Sequence, residues 1–173
     1  MDQSPIDFYL KQFTFAHTQI VFMSPSINWQ CKHFNQLSAS ELYSILQLRS
    51  EIFVVEQQCI FQDMDGLDQL SYHVMGYHGN VLVAHTRLLP AGVTYREQSI
   101  GRVVVKKIAR ASGIGKHLME FSAENSYALF GRNAIKIGAQ LYLKKFYQSL
   151  GYEPCSDVYD EDGIEHIHML KQP

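Results

Sequence analysis

The sequence has few cysteines, little excess charge and no long hydrophobic run. Its 3 cysteines stand far apart in a chain of 173 residues, which argues against a disulfide framework and predicts free thiols in a cytoplasmic protein. The 15 basic and 17 acidic residues nearly cancel, so we expect no nucleic-acid binding through bulk charge. No apolar stretch approaches the roughly 18 residues of a membrane-spanning helix, so we expect no membrane association.

The composition is that of a globular domain with one atypical segment at its start. Hydrophobic residues make up 46% of the chain and charged residues 18%, which predicts a domain with its own core. Residues 1–25 are aromatic-rich without helical or strand periodicity, and they lack the basic start of a signal peptide. We therefore predict an N-terminal extension over residues 1–25 and a folded domain over residues 26–173. The extension either reflects a later start at Met23 or is structured, in which case it is a candidate homodimer surface.

Strand and helix signals alternate along the predicted domain and indicate one mixed α/β fold. Strands are predicted over residues 27–34, 71–78, 81–89, 100–105, 135–139, 152–158 and 165–170. Helices are predicted from residue 38 to 49, from residue 113 onward and over 141–150, with a shorter helical piece over 51–57. Ser38 and Glu41 have the spacing of a capping box, and Gly79-Asn80 is a two-residue hairpin signal.

A glycine-containing segment joins a run of three valines, Val103 to Val105, to the start of a helix. Gly113 and Gly115 let the backbone approach a ligand, and the unpaired amides of a first helical turn attract an anion such as a pyrophosphate. Arg110 and Lys116 would add positive charge there. The alternative is a strand-to-helix turn that binds nothing.

Two common phosphate-binding patterns do not fit this segment. A Walker A loop needs glycine where Arg110 stands and serine or threonine where His117 stands, and the dinucleotide fingerprint needs a small residue at Leu118. Both mismatches count against a nucleotide-binding protein. The order that does fit is arginine, two residues, glycine, one residue and glycine, matched by Arg110, Gly113 and Gly115.

This order resembles the coenzyme A loop of the GNAT acyltransferase superfamily. The residues from Phe146-Tyr147 to Gly151-Tyr152 are similar to the second signature of that superfamily, and they follow the loop at the expected distance. Other segments resemble the ElaA-like branch of GNAT proteins, over residues 46–57, 62–68, 100–105, 138–140 and 158–167. The resemblance covers roughly residues 28–170.

The resemblance implies a GNAT fold, with a mostly antiparallel sheet that is splayed between its fourth and fifth strands and flanked by helices. It also implies that acetyl-CoA, as co-substrate, lies in the gap. The expected contacts with its pantetheine arm are Val103, Val104 and Val105. The expected contacts with its pyrophosphate are Arg110, Ala111, Ser112, Gly113, Ile114, Gly115 and Lys116. Tyr147 falls where many members have the general acid, although it shares a helix face with Phe146 and Leu150 and so also fits a packing role.

Acyl transfer to an amine also needs a group that takes the amine's proton. The candidate bases are Glu56, His73 and His85, since histidine titrates in the useful range and both histidines lie on a hairpin expected to border the acceptor. Each also fits a satisfied core position or a surface position, and a chain of water molecules could replace a single base.

Several charged residues lie on otherwise apolar segments. Arg49, Glu56 and Arg102 form either an acceptor pocket or an ion-pair network with an acidic cluster, and we favour the network. The cluster is Asp63, Asp65 and Asp68. Its spacing does not match a calcium loop, and His166 with His168 lacks a third zinc ligand, so no metal is expected.

The sequence thus predicts an enzyme that transfers an acetyl group from acetyl-CoA to a primary amine of a small molecule or peptide. The sequence contains no nucleophile-elbow pattern, so direct attack in a ternary complex is favoured over an acyl-enzyme. A non-catalytic acyl-CoA-binding module is the alternative from another functional class.

Overall fold

Seven strands form one mixed sheet in the computed structural model, which describes residues 26–173. They are β1 (Ile27–His33), β2 (Tyr72–His78), β3 (Val81–Leu89), β4 (Gln98–Val105), β5 (Ile135–Gln140), β6 (Tyr152–Glu161) and β7 (Ile164–Lys171). The order across the sheet is β1-β2-β3-β4-β5-β7-β6, and every pair is antiparallel except β4 with β5. The predicted N-terminal extension and Met23 lie outside the described residues.

Three α-helices accompany the sheet in this part of the chain: α1 (Ala39–Arg49), α2 (Ile114–Phe130) and α3 (Lys144–Gln148). The predicted short helical piece is a π-helical segment, Ser50–Glu56, that continues α1. The long helix predicted over 141–150 is instead a 3-10 turn, Leu141–Leu143, followed by the five residues of α3. None of the helices among residues 26–173 is long and apolar enough to cross a membrane.

Local sequence signals explain where these elements begin and end. The capping box at α1 is confirmed, because the Glu41 amide donates to Ser38 Oγ at 3.2 Å and the Ser38 amide donates to Glu41 Oε2 at 2.9 Å. Gly79-Asn80 forms the tight turn between β2 and β3. Gly151 takes a φ of +85°, the left-handed conformation that glycine tolerates, immediately before β6.

The two faces of the sheet carry separate cores. Helix α1 and the π-helical segment pack on one face, where Ile45 meets Met75 and Val104. Helix α2 packs on the other face, with the residues Val74, Ala84, Leu88 and Ile100 beneath it. Burial of these apolar side chains is the main force that holds both layers on the sheet.

A network of buried arginine and aspartate side chains ties the segment before β2 to α1 and the sheet. Arg49, fully buried at the end of α1, donates to Asp63 at 2.8 Å and to Asp68 at 2.7 Å. Arg102 on β4 lies 2.8 Å from Asp63, and Arg87 on β3 lies 2.6 Å from Asp65. The predicted internal network is therefore confirmed for Arg49, Arg102 and the three aspartates.

Two details of the network differ from the prediction. Arg87 is a member that sequence reasoning missed, since a lone arginine in a strand gives no sign of its partners. Glu56 is not a member, because it pairs instead with Arg110 at 2.6 Å. Three members of the network, Asp65, Arg87 and Arg102, also line a cavity in the sheet.

Replacing Arg49 tests how strongly the fold depends on this network. Arg49→Met leaves Asp63 and Asp68 buried without their shared cation, so we expect the free energy of unfolding to fall by about 3–5 kcal/mol. The matched control is Lys32→Met, which removes a half-exposed partner of Glu41 and is expected to cost less than about 1 kcal/mol. Denaturant unfolding of both variants measures this, and equal losses would contradict the role of burial.

The same network predicts the direction of acid sensitivity. Burial by itself raises the pKa of Asp68, but the hydrogen bonds and charges of Arg49 and Arg87 outweigh it and hold that pKa below its ordinary value. Arg87 and Arg102 likewise lower the pKa of Asp65 against the opposing effect of burial.

A depressed carboxyl pKa in the folded state adds stability above the unfolded value near ~3.9, and that stability is lost as the pH falls towards the folded value. We therefore expect the free energy of unfolding to decrease from about pH 5 downward. Urea unfolding across this pH range measures it, and Arg49→Met should show a shallower decrease. A flat profile in the wild type would contradict the assignment.

Candidate active site

The sheet opens into a cleft where β4 and β5 separate. These parallel strands pair only at Gln98 with Ile135 and at Ser99 with Lys136. Beyond Ser99 the edge of β4 that faces β5 has no strand partner, so its peptide groups are available to an extended ligand. A cavity of about 820 Å³ fills the opening.

A bulge in β4 shapes the wall of this cavity. His85 of β3 faces Val104 while Arg87 faces Gly101, so β4 has one residue more than β3 over this stretch. Arg102 in the bulge has a φ of +51°. The extra residue shifts the two-residue alternation of the strand, so Ile100 lies under α2 whereas Val104 lies under α1.

The three valines of β4 line the cavity, as the family resemblance implies. Val104 is buried, but Val103 and Val105 are only half-buried because they lie at the open cleft. Their partial exposure follows because no strand covers that edge of β4.

The loop after β4 presents backbone amides to the cavity. Ala111 and Gly113 have positive φ values of +63° and +80°, and Gly113 immediately precedes α2. Within the described residues no acceptor is found for five successive amides of this loop. They belong to Ala111, Ser112, Gly113, Ile114 and Gly115. A helix start with free amides carries positive partial charge and can bind an anion.

Not all side chains of the predicted loop residues line the cavity. Arg110, Ala111, Gly113, Gly115 and Lys116 line the cavity. Ser112 instead donates its hydroxyl to the carbonyl of Ala109, and the Ile114 side chain is buried in the core. These two residues can contribute to the loop only through their backbone.

The two basic side chains of the loop differ in their pairing. Arg110 donates to the carbonyl of Val105 at 2.9 Å and to Glu56 at 2.6 Å, so its orientation is held by protein contacts. Lys116 is 61% exposed, and its one ion-pair partner among residues 26–173 is Glu120, at 3.8 Å. Lys116 is therefore more available to an anionic ligand than Arg110, whose charge is balanced by Glu56.

Tyr147 lies where the cavity meets the core. Its side chain is only 5% exposed, and it contacts Phe146 and Tyr152 edge to face while also lining the cavity. Its hydroxyl donates no hydrogen bond to any described residue. The hydroxyl of the neighbouring Tyr152 also has no partner among these residues, and it is fully enclosed. Burial raises the pKa of Tyr147 well above its ordinary value, so the hydroxyl keeps its proton at neutral pH.

The predicted bases do not meet in the cavity. Glu56 lines it but is engaged by Arg110. His73 and His85 are fully buried, with His73 Nδ1 at 3.1 Å from His85 Nε2, and neither lines the cavity. Burial lowers the pKa of both histidines, so they remain neutral and act as core residues.

The reason lies in the hairpin that carries the two histidines. The hairpin does border the cavity, but through Arg87 and Leu89 rather than through the histidines. His73 and His85 lie in its interior beside the arginine network, where His73 Nε2 contacts the carbonyl of Asp68 at 3.1 Å. Sequence reasoning therefore chose a hairpin that borders the cavity, but it chose two of its residues that do not line the cavity.

The β6–β7 hairpin supplies a wall that sequence reasoning did not assign. Glu161, Asp162, Ile164 and His166 line the cavity from this hairpin. Across the two strands Glu161 is paired with Ile164, and Tyr159 is paired with His166. The side chains of these two pairs therefore lie on one face of the hairpin. The available sequence signal was the alternation around the Asp162-Gly163 turn, which places residues 164 and 166 on one side.

Among residues 26–173, no three histidine, cysteine or carboxylate side chains lie close enough to hold a metal ion. The cavity therefore combines free loop amides, an open strand edge and a protonated tyrosine.

Comparisons with known proteins agree with the resemblance seen in the sequence. The family profile described as Acetyltransferase (GNAT) domain matches residues 45–173. Protein ElaA of Escherichia coli K12 is 40% identical over 148 residues, which cover 84% of this chain and 97% of that protein.

Two crystal structures show the same fold at similar identity. The Escherichia coli ElaA structure superimposes with a TM-score of 0.80 and covers 85% of this chain and 100% of its own. An acyl-CoA N-acyltransferase from Pseudomonas aeruginosa is 39% identical with a TM-score of 0.79, covering 83% of this chain and 99% of its own. The seven-stranded sheet with its parted β4 and β5 is therefore a GNAT fold, and the chain belongs to the GNAT acetyltransferase family.

Proposed function

We propose that this protein transfers the acetyl group of acetyl-CoA to a primary amine of a small molecule or peptide. The observation that carries the proposal is the presence of three features in one cavity. They are the five free amides of the loop from Ala111 to Gly115, the unpaired edge of β4 and the hydroxyl of Tyr147. The name of the Pseudomonas aeruginosa relative, an acyl-CoA N-acyltransferase, supports the same reaction class.

Each feature supplies one requirement of the reaction. The loop amides and Lys116 offer hydrogen bonds and charge to a pyrophosphate, as a helix start does for other phosphates. The free edge of β4 can pair with the amides of an extended pantetheine arm, in the manner of an added strand. Tyr147 remains protonated and can donate that proton to the departing thiolate.

The transfer balances without an acyl-enzyme. The neutral amine nitrogen attacks the thioester carbonyl carbon and forms the C–N bond, and the C–S bond breaks. The thiolate takes the proton of Tyr147, and the one proton that the amine nitrogen loses after the attack restores the tyrosinate, directly or through solvent. The products are an amide and free CoA thiol, so released thiol measures turnover directly.

The first test is acetyl-CoA binding. We expect calorimetry to detect acetyl-CoA binding by the wild type, and Gly113→Ala to weaken it roughly 10-fold. The physical reason is that a side chain at a φ of +80° costs about 1–2 kcal/mol and distorts the amides of the loop.

The control for this variant is Gly79→Ala in the β2–β3 turn. Gly79 also has a positive φ, +57°, and also has open space around it, but it lies outside the cavity lining. It should lose similar stability and bind acetyl-CoA as the wild type does. Absence of binding by the wild type at millimolar acetyl-CoA would overturn the proposal.

The second test concerns Tyr147. Tyr147→Phe removes the proton donor and keeps the ring, so we expect turnover to fall by about 100-fold or more with unchanged acetyl-CoA affinity. The assay measures released CoA thiol with a panel of spermidine, ethanolamine and a lysine-containing peptide. Unchanged turnover would restrict Tyr147 to packing.

Tyr152→Phe is the matched control for this substitution. It removes a hydroxyl from the same aromatic cluster, with ring centroids 6.0 Å apart, but Tyr152 does not line the cavity. Its turnover should remain at the wild-type level. Binding of acetyl-CoA with no thiol release from any amine would instead indicate an acyl-CoA-binding module without catalysis.

A further inference from the structure

The proposed acetyl transfer leaves one chemical requirement without a residue. An alkyl amine has a pKa near ~10.4 and is protonated at neutral pH, so it must lose a proton before it can attack. None of Glu56, His73 and His85 is free to take that proton from the cavity. The inference below rests on the proposed function and concerns the acceptor side of that same site.

The other titratable groups on the cavity wall can be sorted by what they already bind. Asp65 is held by ion pairs with Arg87 and Arg102, which keep its carboxylate charged against the opposing effect of burial and leave it engaged. Cys59 donates its thiol to the carbonyl of Asp162 at 3.3 Å. The carboxylates and the imidazole that line the cavity without an ion pair to a described residue lie on the β6–β7 hairpin, and they are Glu161, Asp162 and His166.

His166 has the geometry of a base. Its Nδ1 lies 2.8 Å from the carbonyl oxygen of Ile164. Because a carbonyl oxygen can only accept, Nδ1 carries the proton in the neutral ring, and Nε2 keeps its lone pair. Nε2 has no partner among the described residues, and the ring lines the cavity.

The position of the His166 ring is also fixed by a stacking contact and by the strand pairing of its backbone. It stacks on Tyr159 with centroids 5.9 Å apart, and its strand position is paired with Gln140 of β5 and Tyr159 of β6. Orientation by a backbone carbonyl and by stacking reduces the freedom that the imidazole must lose when it meets a substrate.

The charge around His166 suits a cationic acceptor. Glu161 lies on the same face of the hairpin, where its carboxylate contacts the Tyr159 hydroxyl but forms no ion pair with a described basic residue. Burial and this carboxylate raise the pKa values of Tyr95 and Tyr159, so both stay neutral beside it. Burial and Lys136 lower the pKa of His168, which is likewise neutral at pH 7. Glu161 is therefore a negative charge that can attract an ammonium group.

We propose that His166 is the general base of the transfer and that Glu161 binds the acceptor's ammonium group beside it. The ammonium gives one proton to Nε2 of His166, which becomes an imidazolium. The neutral amine then attacks the thioester carbon, the C–S bond breaks, and the thiolate takes the proton of Tyr147. The second amine proton restores Tyr147, and the imidazolium returns its proton to solvent.

The test is the pH dependence of the defect in His166→Gln. With the panel amine that the wild type acetylates fastest, we expect kcat to fall by about 100-fold at about pH 7 with unchanged acetyl-CoA affinity. At about pH 9.5 much more of the amine is already neutral, so the ratio of the wild-type kcat to the variant kcat should fall to about 10 or less. A merely structural role would lower the rate by the same factor at both pH values.

The control is His168→Gln, the same substitution two residues further along β7. His168 packs against Tyr95 and Tyr159 but does not line the cavity, so its rates should follow the wild type at both pH values. Glu161→Gln should raise the KM for the amine and leave acetyl-CoA affinity unchanged.

The outcomes separate this inference from the proposed function. Wild-type transfer with a His166→Gln rate that is unchanged, or reduced equally at both pH values, overturns the role of His166 alone. Absence of transfer to every amine of the panel, with acetyl-CoA still bound, overturns the proposed function and this inference with it.

Discussion

The parting of β4 from β5 after two residue pairs is the constraint on which the site depends. Continued pairing would satisfy the β4 edge and fill the space that now forms the cavity. The bulge at Arg102 turns β4 at this point, and the Arg102 guanidinium is drawn to Asp63 and Asp65. The bulge and the ion pairs of Arg102 therefore lie beside the point where the two strands part.

The buried network has a structural cost and a functional consequence. Placing Arg49, Arg87, Asp63 and Asp68 out of water is unfavourable unless every charge has a partner at close range. The observed distances between 2.6 and 3.2 Å meet that condition. As a result, the segment that contains Asp63, Asp65 and Asp68 is held against the sheet and forms a wall of the cavity. Its carboxylates are already paired with arginines, so they are not available to a cationic substrate.

This division leaves two kinds of unpaired group on the cavity wall. The loop before α2 carries free amides and Lys116, which suit an anion. The β6–β7 hairpin carries Glu161 and the lone pair of His166, which suit an amine. Tyr147 belongs to neither group and, because burial keeps it protonated, can act as a proton donor. One part of the cavity wall thus suits an anion and another suits a cation, although the net charge of the chain is close to zero.

The sequence by itself determined the features that depend on neighbours along the chain. The Ser38 capping box and the Gly79-Asn80 turn follow from local backbone chemistry and could be predicted residue by residue. The resemblance to GNAT proteins added the fold and Tyr147. Only the tertiary structure decided which charged groups face the cavity, because this depends on a bulge that shifts the strand alternation and on partners distant in the chain. That is why His73 and His85 lie in the core, Arg87 joins the network, and His166 faces the cavity.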